Sequence, residues 1–180
     1  MAEKTENKIS LKLILLFIPA AYVTNLFHEF GHWITGEILG NDMTYSLNYV
    51  WPKNGHYVDA SNDLYVSIGG PAFTILLSVI FLLVIEKYKN IYAYPFVFFP
   101  MFSRFFSILL GGFSKQDESR ISVILENGAY TVAIIVLMIL LLLMLRGSFK
   151  LKIGLKNIGY FLAISTLCQL LVIGTYKMIP

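Results

Sequence analysis

The chain has 180 residues, of which 57% are hydrophobic and only 14% are charged. Such a composition is typical of integral membrane proteins and excludes an ordinary soluble domain. The small net charge of +3 argues against a nucleic-acid-binding surface, and the single cysteine, Cys168, excludes a disulfide within the chain. We therefore predict an all-α polytopic membrane protein of about five transmembrane helices. It is expected to form one domain over residues 1–180, with a core at 9–146 and an extra C-terminal span at 157–177.

The first predicted span covers residues 9–39. At 1.5 Å per residue this helix is about 46 Å long, which is enough to cross a bilayer and project beyond it. Pro19 is expected to kink it. The basic residues up to Lys12, followed by the apolar run from Leu13 to Val23, are also compatible with a cleaved signal peptide. A retained span is favoured because the apolar run continues past the supposed cleavage site.

This span contains a cluster of ionisable residues, His-Glu-Phe-Gly-His, from His28 to His32. Residues four apart on an α-helix differ by about 40° around the axis, so the two imidazoles lie on one face and can bind one metal ion. Zinc suits neutral imidazoles, and a catalytic zinc takes three protein ligands and a water. Glu29 is about 100° round from His28, where it is placed to act as the general base of an H-E-x-x-H site.

A five-residue pattern of this kind also occurs by chance in soluble helices. Here it lies in a helix at hydrocarbon depth, where each ionisable side chain costs on the order of 2 kcal/mol or more unless it has a partner. This position favours zinc catalysis by His28, Glu29 and His32. The alternative is a polar cluster without metal.

Residues 41–63 have a different pattern, in which apolar and polar side chains alternate over 43–50. The alternation predicts a strand, and the turn-forming segment 51–55 predicts a return as a second strand over 56–59. The resulting short β-hairpin-like loop, which includes Asn48, has two interpretations. It is either an edge that pairs with an extended substrate or an ordinary extramembrane loop.

The second predicted span, residues 64–85, carries a Gly-Gly-Pro sequence near its start. Small residues let helices approach closely in lipid, and Pro71 leaves one backbone carbonyl without its helical hydrogen bond. Gly69, Gly70 and Pro71 are therefore candidate substrate-binding residues, together with Asn48 of the hairpin. The alternative is simple helix packing.

The third predicted span, residues 91–113, contains Arg104 well inside its apolar sequence. An arginine at this depth can pair with a carboxylate at the site, or it can stabilise negative charge on the attacked carbonyl. The alternatives are snorkelling towards the interface and a purely structural ion pair.

A polar segment, residues 114–120, follows the third span and contains Asp117. Its Ser-x-x-Asp pattern is also a helix-start signature, which is the alternative role for Asp117. Two further spans are predicted at about 129–145 and 158–176.

The distribution of basic residues predicts the orientation of the spans, because cytoplasmic loops carry an excess of Lys and Arg. With a cytoplasmic N-terminus, nine basic residues lie inside and four outside: Lys4, Lys8, Lys12, Lys87, Lys89, Arg146, Lys150, Lys152 and Lys156 inside, and Lys53, Lys115, Arg120 and Lys177 outside. The far end of the first span and the loop that holds Asp117 then fall on the same side of the membrane. Asp117 and the two histidines can therefore meet.

The cluster from His28 to His32 in a first span, followed by Ser-Ile-Gly-Gly-Pro at 67–71 in a second, resembles the site-2 protease family of intramembrane zinc metalloproteases. The resemblance covers roughly residues 9–125. It implies that the two histidines and a later aspartate hold one zinc ion and that Glu29 activates water. It also implies that a strand near the site presents an unwound substrate helix.

Asp117 is the aspartate that the resemblance implies, by its order in the chain and its side of the membrane. It stands in Gln-Asp-Glu, where the family usually has Leu-Asp-Gly, so Glu118, His56 and Glu126 are alternative third ligands. Thr74 occupies a place where the family commonly has asparagine. Family members often place the metal towards the cytoplasm, whereas the charge distribution here places it at the opposite face.

Together these features predict a zinc-dependent intramembrane endopeptidase of a plasma or inner membrane that cleaves a membrane-protein or peptide substrate. Glu29 is the expected base, and Arg104 is the expected electrostatic support. The alternatives are a metal-binding or partner-binding membrane protein without proteolytic activity, and a transporter or assembly factor whose polar residues line a pathway.

Overall fold

A computed structural model describes residues 9–110 and 116–178 of the chain. Within these residues the regular structure is helical and no strand is formed. The elements are α1 (Leu11–Leu15), α2 (Phe17–Ile38), α3 (Asn62–Tyr88), a 3₁₀ turn (Ile91–Ala93), α4 (Pro95–Leu110), α5 (Asp117–Ile124), α6 (Thr131–Leu151) and α7 (Leu155–Met178).

Five helical segments of the described chain are long and apolar enough to cross a membrane: Leu11–Ile38, Asn62–Tyr88, Ile91–Leu110, Thr131–Leu151 and Leu155–Met178. The predicted fold class, an all-α polytopic membrane protein with five spans, is therefore confirmed. The end of the predicted third span, residues 111–113, and three residues of the charge count, Lys4, Lys8 and Lys115, lie outside the described residues.

The first span is interrupted at Leu16, between α1 and α2. Pro19 lies three residues further on and has no N–H to donate to the carbonyl of Leu15, so the helical hydrogen-bond ladder is incomplete there. The ladder resumes where the Ala20 N–H donates to the Leu16 carbonyl at 3.1 Å. The kink expected at the proline therefore takes the form of a break one turn before it.

The predicted β-hairpin after the first span is wrong. The described backbone between α2 and α3 has one isolated antiparallel bridge, between Met43 and Pro52. The Thr44 N–H donates to the Trp51 carbonyl at 2.8 Å, but the Trp51 N–H donates to the Thr44 hydroxyl at 3.0 Å and not to the Thr44 carbonyl, so the ladder does not continue. The predicted second strand also has another partner, because the Val58 N–H donates to the Asn41 side-chain oxygen at 2.8 Å. The connection is therefore an irregular loop.

An aromatic core holds the helices together at the end of the bundle where α2 begins. The Phe17 ring packs edge-on to Phe98 at 5.9 Å between centroids and stacks on Phe161 at 5.2 Å. Tyr94 packs against the same rings, and its hydroxyl is hydrogen-bonded to the Ser148 hydroxyl at 2.7 Å. This core joins α2, α4, α6 and α7 about three helical turns before the histidine pair.

Helices α2 and α3 approach each other closely where Gly31 faces Gly69. A Cβ on Gly69 would lie 2.6 Å from the Thr35 hydroxyl and would overlap the Gly31 carbonyl oxygen. Side chains at these positions would force the backbones apart, so the two glycines allow a close approach of the kind that small residues give helices in lipid. The approach places α3 directly against the helix that carries the histidines.

Candidate metal centre

The histidine pair lies on the buried face of α2. His28 and His32 are 8% and 7% exposed, and their Nε2 atoms are 3.1 Å apart. One helical turn separates the two residues, so both rings leave the helix in nearly the same direction. Their Nε2 atoms therefore converge on one point.

Asp117, the first residue of α5, supplies a carboxylate at that point. Its Oδ2 atom lies 3.0 Å from Nε2 of His28 and 3.1 Å from Nε2 of His32. Burial alone would raise the pKa of the Asp117 carboxyl, but the hydrogen bonds with the two histidines outweigh it and hold this pKa well below its usual range. The carboxylate is therefore ionised at neutral pH.

The three atoms fit a metal ion by spacing and by chemistry. Zinc bonds to nitrogen and oxygen are about 2.0 Å long, so two ligand atoms in a tetrahedral zinc site are roughly 3.3 Å apart. The observed separations of 3.0 to 3.1 Å are close to this value. Two imidazole nitrogens and a carboxylate oxygen are also a common donor set for zinc.

Hydrogen bonds to the other ring nitrogens orient both imidazoles. Nδ1 of His32 donates to the Val66 carbonyl at 2.6 Å, which leaves its Nε2 lone pair free for a metal. Nδ1 of His28 lies 3.0 Å from the Thr74 hydroxyl, and that hydroxyl in turn donates to the Gly70 carbonyl at 3.0 Å. The Thr74 oxygen can then accept from Nδ1. In that tautomer Nε2 of His28, which bonds to Asp117 when no metal is bound, is available as a ligand, and Arg104 Nη2, a donor 3.2 Å from the same Nδ1, makes no hydrogen bond with it.

The Gly-Gly-Pro sequence of α3 packs behind the histidines. A Cβ on Gly70 would lie 2.6 Å from Cε1 of His28 and would collide with Nε2 of His32. Gly69, Gly70 and Pro71 are all buried, and none of them belongs to the described lining of the cavity in front of the metal ligands. The structure thus places them as support for the ligands, whereas Asn48, the other predicted substrate-binding residue, does line the cavity.

Arg104 lines the cavity beside His28 and forms a buried ion pair. Its Nη1 donates to Oε2 of Glu118 at 2.9 Å, and its Nη2 lies 3.2 Å from Nδ1 of His28. Glu118 is 0% exposed. The two consecutive carboxylates of α5 therefore have different partners: Asp117 contacts the histidines and Glu118 contacts the arginine. The sequence predicts that Arg104 pairs with a carboxylate at the site or stabilises negative charge on the attacked carbonyl. Its contacts with a carboxylate and with a predicted metal ligand are compatible with both roles.

The other alternative ligands lie away from the centre. His56 and Glu126 are exposed, and neither is part of the described cavity lining. The cluster of potential metal ligands found among the described residues consists of His28, His32 and Asp117.

A cavity of about 790 Å³ opens in front of the ligands. Glu29 lines it beside His28, His32 and Asp117, so the predicted base and the predicted ligands share one space. The remaining walls come from the loop after α2, from α4, α5 and α7, and include Tyr57, Ser103, Gln116, Arg120, Gln169 and Tyr176.

Several of these wall residues are not predicted from the sequence. Gln169 carries the clearest signal, because a polar side chain inside an apolar span is a functional candidate by default. Tyr57 carries none. Burial in the loop raises the pKa of the Tyr57 hydroxyl to about 12, so it stays protonated at neutral pH.

Comparison of the chain with protein-family models, curated proteins and solved structures finds no match.

Proposed function

We propose that the protein is a zinc-dependent intramembrane endopeptidase of the site-2 protease type. The observation that carries the proposal is the convergence of ligand atoms from His28, His32 and Asp117, beside Glu29, in a cavity between helices long enough to span a membrane. This arrangement combines a place for a Lewis acid, a candidate base and room for a substrate.

Zinc held by these three residues would supply a Lewis acid, which makes water acidic and polarises a carbonyl group. The carboxylate of Glu29 accepts the proton of the attacking water and returns it to the nitrogen of the departing amine. The guanidinium of Arg104, which lines the cavity beside His28, adds positive charge near the carbonyl on which negative charge develops.

The proposed substrate is a membrane protein or peptide that is locally unwound. In a helix the backbone carbonyls are hydrogen-bonded, and exposing them in lipid costs several kcal/mol each. The cavity offers polar side chains, from α5 and α7 among others, that can replace the lost hydrogen bonds. The protein is a multi-pass membrane protein, and we place it in a plasma or inner membrane.

The metal is tested on purified protein. We expect about one zinc ion per chain by elemental analysis, and loss of that zinc in His28→Ala. Glu29→Gln is expected to retain zinc, because the glutamate is assigned to proton transfer and not to metal binding.

The reaction is tested by incubating the zinc-loaded protein with single-span membrane proteins from the same cells and identifying new N-termini by mass spectrometry. Cleavage by the wild type that disappears in Glu29→Gln is the expected result. Unchanged cleavage in Glu29→Gln contradicts the assignment of the base. Bound zinc without any cleavage would make the protein a metal-binding membrane protein instead, and absence of zinc would remove the metal from the proposal.

A further inference from the structure

The wall of the cavity is unusually rich in polar atoms that lack hydrogen bonds. Six buried side-chain nitrogen or oxygen atoms have no partner among the described residues, and four of them belong to residues that line the cavity. These four are Arg104 Nε, Gln116 Oε1, Gln169 Oε1 and the Tyr176 hydroxyl. Because a buried polar group without a partner costs about 1 to 3 kcal/mol, these four atoms need polar partners in the cavity, which water supplies when the cavity is empty and a polar ligand can supply when it binds.

The donor or acceptor character of these four atoms indicates which hydrogen-bonding groups the ligand carries. The side-chain nitrogen of Gln116 donates to the Ser107 carbonyl at 2.5 Å, so its free oxygen is an acceptor. Arg104 Nε is a donor, and the Tyr176 hydroxyl is both. A fully ionised anion such as sulfate carries acceptors alone and would leave the oxygens of Gln116 and Gln169 without a donor. A peptide backbone presents N–H donors and carbonyl acceptors in alternation.

The C-terminal helix α7 contributes the part of this wall that is furthest in sequence from the metal ligands. Gln169, Ile173 and Tyr176 are spaced by four and three residues, so they lie on one face of α7, and all three line the cavity. Gln169 is 7% exposed. The Tyr22 hydroxyl, hydrogen-bonded to the Thr175 hydroxyl at 2.6 Å, holds α7 against α2. The polar face of α7 therefore has a defined position relative to Glu29.

We propose that Gln169 and Tyr176, together with Gln116 at the start of α5, form a subsite that binds the extended backbone of a peptide substrate. The subsite rests on the proposed peptidase function and specifies its substrate as an unwound segment, because a helical segment keeps its own N–H and carbonyl groups bonded. The fifth span is then a substrate-binding element and not an accessory helix.

The test measures peptide binding in place of cleavage. The protein is the full-length, zinc-loaded Glu29→Gln variant in detergent. The probe is a fluorescent synthetic peptide of about 20 apolar residues with a central Asn-Gly pair, which weakens its helix. We expect Gln169→Leu and Tyr176→Phe each to raise the Kd roughly three- to tenfold, as expected for one lost hydrogen bond. Thr166→Val, a half-buried position of the same helix that does not line the cavity and whose hydroxyl donates to the Leu162 carbonyl at 3.0 Å, is expected to leave the Kd unchanged.

A second set of peptides, each with one central backbone amide N-methylated, identifies the bond itself. Methylation at one position should weaken peptide binding to the Glu29→Gln protein, because it removes the N–H that donates to Gln169. The same methylation should not weaken binding further when Gln169→Leu is also present, because that hydrogen bond is already lost. Equal affinities for Gln169→Leu, Tyr176→Phe and their parent, additive losses at every methylated position, or no binding to the parent would each overturn the subsite. Zinc content and cleavage that depends on Glu29 are measured separately, so the proposed function can stand when the subsite fails.

Discussion

At the scale of single residues, the candidate centre depends on hydrogen bonds that the two histidines make through the ring nitrogens facing away from Asp117. The Val66 carbonyl fixes one imidazole of the pair, and the Thr74 hydroxyl contacts the other at 3.0 Å. Such outer contacts select the ring tautomer and the ring orientation, and their loss commonly weakens metal binding by about 10- to 100-fold. Thr74 stands where the resembling family commonly has asparagine, and its hydroxyl can take the same role as a hydrogen-bond partner.

Thr74→Val is therefore expected to raise the zinc dissociation constant by about 10- to 100-fold while the helices remain folded. Competition with a chromophoric chelator measures this constant. Thr24→Val is a matched control, because Thr24 is a buried threonine of α2 whose hydroxyl bonds only within its own helix, to the Ala20 carbonyl at 2.7 Å. Equal zinc affinities for the two variants would contradict a role for Thr74 at the site.

The neighbouring carboxylates of α5 give a second residue-scale prediction. Asp117→Asn is expected to abolish stoichiometric zinc binding, because it removes the charged ligand. Glu118→Gln is expected to retain zinc but to lower the thermal midpoint in detergent, since breaking a buried ion pair with Arg104 costs about 3 to 5 kcal/mol. Elemental analysis and thermal unfolding separate the two effects. Zinc lost from Glu118→Gln and kept by Asp117→Asn would exchange the two roles.

At the scale of elements, α5 is held by ion pairs on two sides. Glu118 pairs with Arg104 of α4, and Arg120 Nη1 lies 3.5 Å from Oδ1 of Asp63 and 3.4 Å from the Ser67 hydroxyl of α3. The helix is only eight residues long, and isolated helices of that length are marginal in water. Its position, and with it the position of Asp117, therefore comes from tertiary contacts.

The packing of α3 on α2 gives an element-scale prediction. Gly70→Ala is expected to displace the imidazole rings and to lower zinc occupancy, because the added Cβ would occupy the space of His32 Nε2. Gly159→Ala is the matched control: it also adds a methyl group to a helical glycine, but nothing lies within 4 Å of its Cβ position. Elemental analysis measures the zinc occupancy of both variants, and size-exclusion profiles check that both are folded. Full zinc occupancy in Gly70→Ala would be inconsistent with this packing.

At the scale of the whole molecule, the charge distribution predicts that the cavity opens away from the cytoplasm. Most of the basic residues that the structure describes lie at the end of the bundle opposite the candidate centre, and Glu86 there pairs with Arg146 and Lys150 at 2.6 and 2.8 Å. The loop beside the cavity carries few basic residues, as the positive-inside rule expects for an external loop.

This orientation is tested with a membrane-impermeant maleimide on intact cells, in a Cys168→Ser background. Asn54→Cys, in the exposed loop beside the cavity, is expected to react, whereas Lys156→Cys, exposed at the opposite end, is expected to react only after permeabilisation. The reverse labelling pattern would place the centre towards the cytoplasm, as in many members of the family that the sequence resembles.

The failed prediction of a hairpin shows where local pattern is insufficient. Alternation over residues 43–50 is a strand signal, yet the segment forms one bridge, and the Ser46 N–H donates to the Tyr49 carbonyl at 3.1 Å, which closes a turn inside the predicted strand. The ladder stops at this bridge because the Trp51 N–H donates to the Thr44 hydroxyl at 3.0 Å and not to the Thr44 carbonyl. An alternating pattern records which side chains face apolar surroundings but not where the backbone hydrogen bonds go.

The sequence by itself determined the five spans and the shared face of His28 and His32, because hydropathy and helical periodicity are local properties of the chain. Only the tertiary structure decided which carboxylate meets the histidines and which meets Arg104. Asp117 and Glu118 are adjacent in sequence and differ by about 100° around α5, so the docking of that helix against α3 and α6 separates their roles. The polar face of α7 likewise becomes a cavity wall only when the fifth span packs beside the first.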